Sequence, residues 1–144
     1  MSDASIRSVI GFDFGLKRIG LATGQTITGT ASPLVTLQAV NHSPDWEGIA
    51  AQIRQWKPDA LIVGIPYLLE GGDSDITRAA LNFSKALERR FKLPVYTIDE
   101  SLSSAAAEEQ LRQTKKLAKH NKHEIDKMAA AIIVQSWLNS QHDR

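Results

Sequence analysis

The segment Ala60–Ile65 (ALIVGI) contains no polar side chain. A strand that alternates apolar and polar residues can leave one face in water. A strand without alternation is buried on both faces and needs other elements packed above and below it. Pro58 before the run and Pro66 and Gly71-Gly72 after it keep the run short, which favours a strand over a buried helix.

The segments around it complete an α/β pattern. Val9–Phe14 is a β-rich run closed by Gly15, Ile19–Gly24 is a second strand, and Thr28–Leu37 is a third, bent at Pro33. Their short connections imply hairpins and antiparallel pairing. Asp45 is placed to cap a helix through Lys57, with Trp46, Ile49, Ile53 and Trp56 at core spacing, and Pro58 stops it. Ile76–Phe91 reads as a second helix, Pro94–Asp99 as a strand, Ser103 or Ser104 to about Gln113 as a third helix, and Glu124–Asn139 as the last. The order β-β-β-α-β-α-β-α-α describes a mixed sheet with helices on both faces. At 144 residues the expectation is a single domain spanning 1–144, large enough for its own core.

The chain has no cysteine, so disulfides, thiolate metal sites and cysteine nucleophiles are excluded. Met1–Arg7 lacks the apolar stretch of a secretory signal, and Ala129–Val134 is far short of the ~20 residues that cross a bilayer. A soluble, cytoplasmic protein without a membrane partner is expected. The net charge is +1, but from Leu111 to Lys127 Arg112, Lys115, Lys116, Lys119, Lys122 and Lys127 face only Glu124 and Asp126. A basic stretch of this kind suits a phosphate-rich partner, although a solvated loop would have the same composition.

Three carboxylates stand where a carboxylate is costly. Asp13 interrupts the apolar run VIGFDF, on which it is disfavoured by β-propensity and by desolvation; a turn-forming aspartate at a strand end is the plainer alternative. Asp126 begins the stripe Ala129, Ala130, Ile133, Val134 and Trp137, where an acid in a first helical turn would also be favoured by the dipole. Glu100, with Asp99 beside it, ends a strand at the edge where open α/β sheets bind ligands. Adjacent residues point to opposite faces, so one of the two, Glu100 being favoured, faces a given site. Converging carboxylates would repel one another unless a cation joined them. Mg²⁺ or Mn²⁺ accepts such oxygen donors, and two ions can activate water and stabilise a leaving oxygen at phosphorus. The Gly71–Asp75 segment (GGDSD) lacks the Gly-Lys-Ser/Thr of a phosphate-binding loop, and His120 and His123 fall in the basic stretch.

The stretches IGFDFGLKRIGLA, IVGIPYLLEGG, IDESLSS and IDKMAAAIIVQSW occur in this order from about Val9 to about Leu138. Together they closely resemble the YqgF (RuvX) family, relatives of the RuvC resolvases in the ribonuclease H-like superfamily. The resemblance implies a mixed five-stranded sheet with its first three strands antiparallel, and a metal-dependent nuclease site of Asp13, Glu100 and Asp126 as catalytic metal ligands for Mg²⁺ or Mn²⁺, two ions in all. It also implies a nucleic-acid partner: RNA in maturation of the 5′ end of the 16S ribosomal RNA precursor, within a precursor particle, or alternatively a DNA Holliday junction. Lys17, Arg18, Lys115, Lys116, Lys119, Lys122 and Lys127 are the candidate nucleic-acid contacts, on a monomer or a homodimer. One position departs from the family pattern. Ser101 stands where an arginine is common, and Lys17, Arg18, Lys122 or Lys127 would have to replace its phosphate contact.

Two other readings compete. The D-x-G strand-turn also resembles the phosphate hairpin of actin-like ATPases, but these bind ATP between two such domains. A catalytically silent nucleic-acid-binding protein with the same fold would bind RNA or DNA and be indifferent to Asp13→Asn.

Overall fold

A computed structural model describes residues 6–41, 43–66, 75–99 and 122–142. Five strands form one sheet: β1 (Ser8–Asp13), β2 (Arg18–Gln25), β3 (Thr30–Gln38), β4 (Ala60–Ile65) and β5 (Val95–Asp99), with helices α1 (Trp46–Trp56), α2 (Asp75–Phe91) and α3 (Lys122–His142) around it. The strand order is β3-β2-β1-β4-β5. β1, β2 and β3 pair antiparallel, and β4 pairs parallel with both β1 and β5. This is the mixed five-stranded sheet expected from the sequence. The segment 100–121, with the helix expected after Ser103 or Ser104, lies outside the described residues, as does most of the loop after Pro66.

Strand alternation divides the interior into two cores. Ile10, Phe12, Ile19, Leu21, Leu61, Val63 and Ile65 face one side, where they meet Ile49 of α1 and Ala80, Phe83 and Leu87 of α2. Val9, Ala22, Ala60 and Ile62 face the other, where α3 supplies Ala130, Ile133, Val134, Trp137 and Leu138. All six residues of β4 are buried, as a strand sandwiched between helices requires.

Three strand positions on the α3 face are glycine. A Cβ added to Gly11 or Gly24 would run into Val134, and one added to Gly20 would run into the backbone carbonyl of Asp126. At Gly20 the helix therefore lies against the sheet backbone to backbone, and at Gly11 and Gly24 the Val134 side chain takes the space a Cβ would fill.

Local signals explain the helix ends. Asp45 caps α1, with Oδ1 accepting from the Gly48 amide at 2.9 Å. Lys57 closes α1 in the left-handed conformation (φ 47°), and its amide donates to the Ile53 carbonyl. Two expectations need correction. Trp56 is not core: it is 42% exposed, because α1 ends there and only Ile49 of that helix is fully buried. The last helix also starts at Lys122, not Glu124, so Lys122 is helical and Asp126 lies beyond the first turn. The dipole argument belongs to Glu124 instead.

Candidate nucleic-acid cleavage site

β1 ends at Asp13 and the chain turns back within four residues to begin β2 at Arg18. Phe14 anchors this turn inward, its ring 4.9 Å from that of Phe83 on α2. The Lys17 carbonyl accepts from the Ala39 amide at 2.8 Å. With the turn fixed at both points, Leu16 and Lys17 are left exposed at its tip.

Asp13 shares its strand parity with Val9 and Gly11, so it belongs to the α3 side of the sheet. Its ladder partner on β2 is Gly20, the residue over which the Asp126 carbonyl sits. One glycine thus brings two acids, far apart in sequence, to the same end of the sheet. Asp13 and Asp126 line a cleft of about 340 Å³ together with Phe14, Gly15, Leu16, Lys17, Arg18 and Ile76.

Arg18 and Asp126 are bonded across this cleft. Arg18 Nε donates to Asp126 Oδ2 at 2.7 Å, with side chains 25% and 20% exposed. The length is that of a charge-assisted bond. Lys127 is occupied differently: its Nζ is 2.9 Å from Glu124 Oε1, one turn back on α3. Lys17 and Arg18 therefore reach the cleft, whereas Lys127 is not among its lining residues.

Asp99 pairs with Ile65 on β4. Tyr96 and Ile98 pack toward the α3 core and Val95 toward the other, so Asp99 has the parity of the α2 side, away from Asp13. Glu100, Lys115, Lys116 and Lys119 lie outside the described residues, as does the side chain of Lys122.

Among the described residues, no group of three or more His, Cys, Asp or Glu is arranged to hold a metal ion. Asp13 and Asp126 alone supply a partial set, but one made wholly of carboxylate oxygen, the donor that Mg²⁺ and Mn²⁺ prefer. Sequence reasoning missed Gly20, Leu16 and Ile76 as parts of the site. A glycine inside the strand RIGLA was a readable sign of close backbone approach; Leu16 and Ile76 carried no signal that separates them from ordinary apolar residues.

Residues 7–140 match the RuvX family, described as Holliday junction resolvase. The chain belongs to the RuvX family. A member from Pseudomonas fluorescens, named as a candidate pre-16S rRNA nuclease, is 42% identical over 136 residues, covering 94% of each chain. One from Nitrosococcus oceani with the same name is 45% identical over 140 residues, covering 97% of this chain and 91% of that one. The structure of T. thermophilus RuvC in complex with Holliday junction substrate aligns with a TM-score of 0.57 at 16% identity, covering 94% of this chain and 96% of that chain. At that identity the likeness establishes the fold, the ribonuclease H-like arrangement expected of a RuvX protein. Among the described residues of this RuvX chain, no helix is long and apolar enough to cross a membrane.

Proposed function

We propose that this RuvX protein is a divalent-metal-dependent nuclease that hydrolyses phosphodiester bonds, with the 5′ region of the 16S ribosomal RNA precursor as its substrate. The observation that carries the proposal is the meeting of Asp13 and Asp126 in one cleft, with Lys17 and Arg18 at its wall. The carboxylates would hold Mg²⁺ or Mn²⁺, and the cationic wall would draw in the phosphate backbone. Glu100 is the proposed third ligand, on the family pattern; Asp99 has the wrong strand parity for that role.

When bound, the metal supplies activation of water and charge stabilisation at phosphorus. The protein's own part is to fix the acids on a strand end and a helix, to keep their carboxylates toward one opening, and to hold a guanidinium beside them. RNA is preferred because relatives 42% and 45% identical to this chain carry a ribosomal RNA name. A second reading follows from the family description and from RuvC: a Holliday junction resolvase, which would work as a two-fold dimer to cut both strands symmetrically. Cytoplasmic location and action within a precursor particle accompany the RNA reading.

The two are separated by offering the purified protein, with Mg²⁺ or Mn²⁺, an end-labelled 16S precursor fragment and a four-way DNA junction. The expected result is cutting of the RNA near the mature 5′ end with the junction left intact. Paired symmetric nicks in the junction alone would favour the resolvase, and binding of RNA without cleavage would favour the silent binding protein.

A further inference from the structure

We infer that Arg18 is the phosphate-positioning residue of the cleft and that Asp126 aims it, so that the same ion pair opposes metal binding and favours phosphate binding. This deepens the nuclease reading and rests on it.

The bond between them is single: Nε reaches Oδ2 at 2.7 Å. A guanidinium carries five N–H donors, and a pair using only Nε leaves the two Nη groups outside that bond. The fork they form matches two oxygens of a phosphate. Asp126 likewise keeps Oδ1 outside the bond. Both residues line the cleft, and Arg18 leads β2, where its backbone is paired with Gln38 of β3. The Asp126 backbone is fixed by its seat over Gly20. A guanidinium held at Nε between two rigid elements loses less freedom when it takes up a phosphate than a free one would. Its neighbours are less suited. Lys17 is an exposed ammonium whose three donors rotate and form no planar fork, and Lys127 is held by Glu124.

The charge beside Asp126 also acts on the metal. A cation bound at Asp126 would stand within a few ångströms of the guanidinium, and the two repel. Removing Arg18 therefore has two effects of opposite sign: weaker binding of nucleic acid and tighter binding of the bare ion. An ion pair that merely braces α3 against β2 would weaken both together.

The test uses the full chain with Arg18→Gln and Arg18→Lys. Mn²⁺ binding is read by electron paramagnetic resonance without nucleic acid. Binding of a single-stranded 16S precursor fragment is read by fluorescence anisotropy in Ca²⁺ across a salt series. For Arg18→Gln, RNA affinity is expected to fall ~10-fold and the log–log salt slope to become shallower by about 0.7, one phosphate contact for a single strand. Mn²⁺ is expected to bind ~3-fold more tightly. Arg18→Lys should keep the salt slope, since it keeps the charge. An unchanged slope in Arg18→Gln, or weaker Mn²⁺ binding together with a lower melting temperature in both variants, would overturn the assignment. Wild-type protein that binds neither Mn²⁺ nor RNA would overturn the nuclease reading, and this one with it.

Discussion

Gly20 and Asp126 meet backbone to backbone: a Cβ on the glycine would run into the Asp126 carbonyl. Because Gly20 is also the ladder partner of Asp13, this contact sets how near the two acids come. Gly20→Ala is expected to lift the start of α3 from the sheet, costing about 1–3 kcal/mol of stability as an overpacked site does, and to weaken Mn²⁺ binding. Denaturant unfolding together with a Mn²⁺ titration checks both. No change in either would mean that another contact seats α3.

The same close packing recurs at Gly11, whose added Cβ would meet Val134 Cγ2. Gly11→Ala should destabilise, and so should Val134→Ala, which empties a fully buried position. In the double mutant the new methyl occupies space the valine gave up. The two losses should therefore fall short of adding, by about 0.5–3 kcal/mol. Strict additivity in a double-mutant cycle would count against direct steric contact.

The tryptophans should respond unequally. Trp137 is 5% exposed and its ring lies 5.8 Å from that of Tyr96, so Trp137→Ala should cost about 3–5 kcal/mol. Trp56→Ala, at an exposed helix end, should cost about 1 kcal/mol or less. Urea midpoints of the two variants measure the difference, and equal losses would contradict the placement of Trp56.

How far the sequence could be read depended on whether the cause of a feature was local. Ala60–Ile65 announced a strand covered on both faces, and Asp45 announced the start of α1, because strand patterning and capping act within a few residues. Asp13 stood out because a carboxylate inside VIGFDF conflicts with its surroundings. The partnership of Arg18 with Asp126 could not be read, since the two are 108 positions apart and meet only once α3 lies on the sheet. Trp56 misled because helical spacing marks a face without showing where its cover ends. The register of α3 against β2 was hidden for a related reason. Gly11, Gly20 and Gly24 mark a close approach to the strands, but only the folded chain shows which helix approaches.

The most direct test of the nuclease site is metal-dependent cleavage of the 16S precursor 5′ fragment by wild-type protein, Asp13→Asn and Asp126→Asn, each confirmed as folded. Wild-type protein is expected to cut with Mg²⁺ or Mn²⁺ and to stop with chelator. Each variant is expected to lose at least ~100-fold in rate, about 2.7 kcal/mol of transition-state stabilisation. Cleavage by both variants at the wild-type rate would contradict the assignment of Asp13 and Asp126 to a catalytic metal site.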